Sequence, residues 1–203
     1  LTDIVVCSEN ASKKGGSQIW LEPNEEMTVN DLLKATAIGS ANDAATLLGE
    51  YISGSEEAFI SLMNERAKEL GMNNTHFENC TGLDATTENH LTTALDVAIM
   101  SRELLNHELI TNYTTIWMDS VREGQTELVN TNKLVRFYEG TTGLKTGTTS
   151  KAGYCLTATA ERNGMGLVAV VLGSDNSTER FNDAKKMLNW GFANYTVFTP
   201  QVD

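Results

Sequence analysis

The sequence predicts an α+β domain, with helices packed on a small antiparallel sheet, and three observations carry that prediction. Apolar residues recur at helical spacing through most of the first half of the chain. The pattern then shortens into β-rich pieces, two of them joined by an Asn-Gly turn. A last stretch, about 178–195, returns to helical spacing. With 203 residues, 40% of them hydrophobic, the chain can bury a core without disulfide staples.

Taken in order, Thr28-Val29-Asn30-Asp31 reads as a capping box, with Thr28 as N-cap and Asp31 in place of the usual Glu. Leu32, Leu33 and Ala35 continue that helix until Gly39-Ser40 breaks it. Ala44, Ala45, Leu47, Leu48, Tyr51 and Ile52 then recur at helical spacing. Ser55-Glu56-Glu57 opens a further helix, whose Phe59, Ile60, Leu62, Met63, Ala67 and Leu70 are expected to face inward until Gly71 stops it. Another spans about 92–106, with Leu95, Ile99 and Leu105 among its apolar residues.

Short β-rich pieces follow at 116–122, 127–129 and 143–148. Tyr154 to Ala160 alternates Leu156 with Thr157 and Ala158 with Thr159. Asn163-Gly164 supplies the turn, and Leu167 to Leu172 returns as a buried strand. The pieces at 143–148, 154–160 and 167–172 are expected to lie antiparallel. The closing helix carries Phe181, Met187, Leu188, Trp190 and Phe192. One domain over 1–203 is expected, helical over about 28–110, with the sheet and closing helix over about 115–196.

Composition excludes several functions. Lys plus Arg total 15 against 27 Asp plus Glu, a formal net charge of −12. Phosphate contacts need basic clusters, so nucleic acid is not an expected partner. A basic membrane-docking helix is missing for the same reason, so any membrane association is expected to use segments outside this sequence. Cys7, Cys80 and Cys155 are odd in number and widely spaced, and they read as free, buried thiols. His76, His90 and His107 have no HExxH spacing, and no Walker or GxGxxG loop is present, so neither metal nor nucleotide cofactor is expected. The start at Leu1-Thr2-Asp3-Ile4 reads as a chain entered partway through.

Lys145-Thr146-Gly147 carries the chemistry. A lysine on an exposed strand usually guards a sheet edge. Here a cation and a hydroxyl stand beside a residue with no side chain, where a substrate backbone can lie along the strand and a carboxylate can dock. Alternation puts Lys145 and Gly147 on one face and Thr146 on the other. Ser-x-Asn, the partner motif of Lys-Thr-Gly in penicillin-recognising serine enzymes, occurs three times. Ser8-Glu9-Asn10 lies in a polar stretch, and Ser174-Asp175-Asn176 follows the hairpin, downstream of Lys145. Ser40-Ala41-Asn42 alone stands at a helix break, where a hydroxyl and an amide are exposed together. Ser40 is therefore selected.

Around these motifs the chain resembles the low-molecular-mass penicillin-binding proteins, serine-type D-alanyl-D-alanine carboxypeptidases. The likeness runs through LLKATAIGSANDAATLLGEYISGSEEAFISLMNERAKELGMNNTHFENCTGLD, LTTALDVAIMSREL, NTNKLV, GLKTGTTSKAGYCLTATAERNGMGLVAVVLGS and KKMLNWGF. It implies the β-lactamase/transpeptidase-like fold, an antiparallel sheet with helices on both faces. It implies removal of the terminal D-alanine of peptidoglycan stem peptides through an acyl-enzyme, acylation by β-lactams, and an extracytoplasmic location. By resemblance, Ser40 passes a proton to the leaving amine and Asn42 holds the substrate amide. Lys145 holds Ser40 electrostatically and, with Thr146, binds the terminal carboxylate. The Thr148 N–H, after Gly147, forms half of an oxyanion hole. Arg180 falls where the family places a carboxylate-binding arginine, its guanidinium expected to aim back at Thr146. A surface ion pair with Glu179 or Asp183 is the alternative.

No serine in the chain has a lysine three residues on; Thr148-Thr149-Ser150-Lys151 comes nearest. The family's nucleophile and general base, a Ser-x-x-Lys pair on a helix well ahead of Ser-x-Asn, are thus expected upstream of Leu1. A β-lactamase of the same fold and a non-catalytic binding module are the other two readings. No Glu-x-x-x-Asn segment ahead of Lys145 offers the deacylating glutamate a β-lactamase needs, and neither Glu88 nor Glu103 is so placed.

Overall fold

The computed structural model describes residues 1–200; positions 201–203 of the expected domain lie outside the described residues. The first half runs β1 (Ile4–Val6), α1 (Glu9–Ser12), β2 (Glu26–Thr28), α2 (Val29–Ala37), α3 (Asn42–Ser53), α4 (Glu56–Glu69) and α5 (Ala94–Leu104). The second runs α6 (Thr111–Thr114), β3 (Met118–Val121), β4 (Thr126–Val129), α7 (Leu134–Phe137), β5 (Thr141–Thr149), β6 (Gly153–Arg162), β7 (Met165–Ser174) and α8 (Ser177–Asn194).

Side-chain caps set the helix starts. Thr28 accepts a hydrogen bond from the Asp31 N–H at 3.0 Å, as the capping pattern predicts. Ser55 takes the Ala58 N–H ahead of α4, and Thr93 takes the Asp96 N–H ahead of α5. The long helix α8 starts on Asn176, whose side chain accepts from both Thr178 and Glu179.

Strands β5, β6 and β7 form one antiparallel sheet in that order, so among the described residues β5 has a free edge. Asn163 and Gly164 turn the β6–β7 hairpin, both at positive φ, the backbone this tight turn requires. On β6, Leu156, Ala158 and Ala160 join Phe181, Ala184 and Leu188 of α8 in one apolar cluster. Burying a side chain such as Phe181 or Leu188 contributes roughly 1.5–3 kcal/mol. The alternate residues Thr157 and Thr159 turn to the other face and are buried too. A second cluster joins Ile19, Leu21, Leu32, Ile38 and Leu47 to Val121 and Leu128 of the β3–β4 hairpin. That hairpin forms its own two-stranded sheet and packs with the helical half, not with the large sheet.

Some sequence-based expectations change. Leu62 is exposed rather than inward-facing, and Leu95, among the apolar residues of α5, is exposed too. At α5 the buried positions are Asp96 and Ser101, and the Asp96 carboxylate accepts from the Asn74 N–H and the Thr75 hydroxyl, so this helix docks through a polar clamp. Tyr51, Ile52, Met187 and Trp190 are also exposed. Of the three free thiols only Cys7 is buried; Cys80 and Cys155 are partly exposed. The β1–β2 pair was not foreseen, because strands of three residues are too short to show a period. Among the described residues, no helix is long and apolar enough to cross a membrane.

Candidate active site

Ser40 stands in the turn between α2 and α3 with φ of 60°, a left-handed backbone that non-glycine residues rarely adopt. The turn is held tightly. Ala41 N–H donates to the Ala35 carbonyl at 3.1 Å, and a Cβ on Gly39 would meet Ala35 O and Leu128 Cδ2 at 3.0 Å. Any side chain at 39 would make the Ala35 carbonyl or Leu128 give by a few tenths of an ångström, so glycine lets the chain cross closely here. Asn42, two residues on, opens α3. Its Nδ2 donates to the Gly15 carbonyl at 2.8 Å and its N–H to the Ser17 carbonyl at 2.7 Å.

Across from this turn lies β5. Lys145 sends its Nζ to Ser40 Oγ at 2.6 Å and to the Thr146 carbonyl at 2.9 Å. One hydrogen bond thus ties the helical half to the sheet across 105 positions of sequence. Burial pushes the Lys145 pKa down from 10.5 to about 8, with the nearby charge of Arg180 adding to the effect. Thr146 turns its hydroxyl to Thr131 Oγ1, donating at 2.6 Å. Gly147 and Thr148 are exposed on the free edge. A Cβ added at Gly147 would meet only Cys155 Cβ, at an ordinary 3.9 Å. The fold itself does not demand glycine there, so the open surface is available to a ligand backbone.

Arg180 departs from its sequence-based expectation. It is buried, 7% exposed, and makes no ion pair among the described residues; Asp183 pairs with Lys186 instead. Nor does it aim at Thr146. Nη1 donates to the Gly147 carbonyl at 3.0 Å, the Thr148 hydroxyl at 3.1 Å and the Cys155 carbonyl at 3.1 Å. The guanidinium also lies over the Tyr154 and Phe181 rings. From the first turn of α8 it reaches β5 one residue beyond Thr146, because the β5–β6 register sets Gly147 opposite Cys155 and places both carbonyls within its reach.

The other two Ser-x-Asn matches are spent on structure. Ser8 caps α1 and donates to Glu50 at 2.6 Å, while Asn176 caps α8. Two supporting residues escaped the sequence reading. Asp43, fully buried, accepts from the Ile19 and Leu21 N–H groups and so ties the 13–21 segment, including the Gly15 carbonyl that meets Asn42, to the start of α3. Thr131 sits between two buried asparagines, and its only sequence signal was its place in the NTNKLV block.

The sequence and the fold have known counterparts. Residues 1–176 match the family model described as D-alanyl-D-alanine carboxypeptidase. The chain belongs to that family. It is 50% identical over 198 residues to D-alanyl-D-alanine carboxypeptidase DacF of Bacillus subtilis, covering 96% of this chain and 50% of that protein. DacC of Escherichia coli is 37% identical over 207 residues, covering 98% and 51%. The chain thus spans about half the length of the curated relatives it matches. Penicillin binding protein 6B from Escherichia coli superposes with a TM-score of 0.87 at 33% identity, over 96% of this chain and 63% of that one. Penicillin-binding protein D2 from Listeria monocytogenes, in its ampicillin-bound form, gives 0.83 at 31% identity, over 94% and 77%. The α+β family fold expected from the sequence is the fold observed.

Proposed function

We propose that this chain supplies the substrate grip and the proton-transfer groups of a serine-type D-alanyl-D-alanine carboxypeptidase acting on peptidoglycan stem peptides. The single observation that carries the reading is the 2.6 Å hydrogen bond from Lys145 Nζ to Ser40 Oγ. It fixes a hydroxyl beside a desolvated cation at the free edge of β5.

In this reading a stem peptide lies along β5 and pairs with its edge. Its terminal carboxylate meets Lys145 and Thr146, with Arg180 behind Gly147 and Thr148 adding positive potential. Asn42 holds the substrate amide through Oδ1, since Nδ2 is already given to Gly15. The Thr148 N–H stabilises the developing oxyanion. Ser40, held by Lys145, passes a proton to the leaving D-alanine. The attacking serine belongs to a Ser-x-x-Lys pair that this sequence does not contain. β-Lactams are bound by the same grip, a reading supported by the ampicillin-bound structural relative. Peptidoglycan as substrate places the protein outside the cytoplasm.

Labelling with a fluorescent penicillin tests this. A polypeptide carrying this chain behind a Ser-x-x-Lys segment is expected to form a stable covalent adduct. The 203 residues alone are expected to form none. An adduct on the 203-residue chain overturns the assignment of the attacking serine to a Ser-x-x-Lys pair outside this sequence, and no adduct on the longer polypeptide overturns the activity.

A further inference from the structure

We propose that Thr131 is a positioning residue for carboxylate ligands, because its hydroxyl sets the direction in which Thr146 donates. The inference rests on the reading of Lys145 and Thr146 as a carboxylate grip.

A threonine hydroxyl has one proton and two lone pairs. In the structure the Thr146 proton is directed at Thr131 Oγ1, 2.6 Å away. Thr146 in that state offers an incoming carboxylate only lone pairs, which repel it. A carboxylate docks on Thr146 when the pair reverses, Thr131 donating to Thr146 and Thr146 donating to the ligand. Each bond in such a chain polarises the next, so the second hydroxyl strengthens the first. No covalent bond is broken and no proton leaves the pair; the two O–H groups rotate, and one hydrogen bond is exchanged for another.

The segment around Thr131 is built to hold it still. Asn130, buried, donates from Nδ2 to the Thr114 carbonyl at 3.2 Å and the Ile116 carbonyl at 2.8 Å. Its Oδ1 accepts the Asn132 N–H at 2.9 Å. Asn132, fully buried, accepts the Leu134 N–H at 3.1 Å, and its Nδ2 has no partner among the described residues. Burying two amides, one incompletely satisfied, costs free energy that an ordinary surface turn would avoid. What the cost secures is a fixed place for the half-buried Thr131 between them, with its hydroxyl against β5. The Lys145 ammonium, bonded to the Thr146 carbonyl, keeps the positive charge next to the pair.

NMR titration of this chain with diacetyl-L-lysyl-D-alanyl-D-alanine and with its C-terminal amide tests the proposal. The parent is expected to favour the acid. Thr131→Val should weaken acid binding about 3–10-fold, a neutral hydrogen bond's contribution, and leave the amide unchanged. Thr131→Ser, which keeps the hydroxyl, should restore the parent's preference. Thr146→Val with Thr131→Val should lose no more than Thr146→Val alone. If Thr131→Val discriminates as strongly as the parent does, or more strongly because Thr146 is freed, the proposal is overturned while the carboxylate grip stands. Equal weakening of both ligands, or failure of Thr131→Ser to restore, makes Thr131 a loop residue only and also overturns it. A parent that binds acid and amide alike, or neither, overturns the carboxylate grip and this proposal with it.

Discussion

Replacing Lys145 with methionine is expected to stabilise the fold near neutral pH while it disarms the site. The folded pKa of about 8 lies below the 10.5 of an unburied lysine, and lost solvation is the larger cause. That gap opposes the protonated form by roughly 3 kcal/mol. Between about pH 8 and 10.5 the unfolded chain binds more protons than the folded one, so stability rises with pH across that window. Below pH 8 the penalty is fully present; above 10.5 it is gone. Methionine keeps the apolar stem packed but loses the bonds to Ser40 and to the Thr146 carbonyl, about 1 kcal/mol each. The variant should therefore gain about 1 kcal/mol at pH 7 and be less stable than the parent by about 2 kcal/mol at pH 10.5. Urea unfolding of both proteins across that range measures the difference, in which the other titrating groups cancel. A variant less stable at pH 7, or a difference that does not move with pH, refutes a desolvated ammonium at this position.

Three further outcomes are expected. In a polypeptide that carries the attacking serine, Ser40→Ala should lower turnover roughly 10²–10⁴-fold. Ser174→Ala should leave turnover nearly unchanged, and equal losses would show that the wrong Ser-x-Asn was chosen. Arg180→Ala should cost about 10-fold or more in kcat/KM on free-carboxylate and amidated substrates alike, because β5 loses the donor that holds its Gly147 carbonyl, with the larger loss on the free carboxylate. Arg180→Lys should not restore it, because one ammonium cannot reproduce Nη1 donating to Gly147, Thr148 and Cys155. Finally, Asp43→Ala should cost about 2–4 kcal/mol in urea unfolding by orphaning the buried Ile19 and Leu21 N–H groups. Faster amide exchange at Ile19 and Leu21 is the signature, and a cost below about 0.5 kcal/mol would mean that the 13–21 segment holds without it.

The local features were legible in the sequence because they are set by near neighbours. The Thr28 cap, the Asn163-Gly164 turn and the alternation of Leu156, Thr157, Ala158 and Thr159 each depend on a few adjacent side chains, and each was readable before any fold was known. The helix break at Ser40 and the open strand at Gly147 were readable for the same reason. What the sequence could not settle was which distant groups meet. The three Ser-x-Asn motifs look alike as text, yet Asn176 caps a helix, Ser8 caps another, and only Ser40 meets Lys145. Arg180 was placed correctly in the chain but aimed wrongly, because its target depends on the β5–β6 register that brings the Gly147 and Cys155 carbonyls together. Thr131 and Asp43 were silent because a hydroxyl or a carboxylate gains its role from a partner many residues away. Chain neighbours determined the elements; packing of the two apolar clusters, which brings the α2–α3 turn against the edge of β5, decided the site.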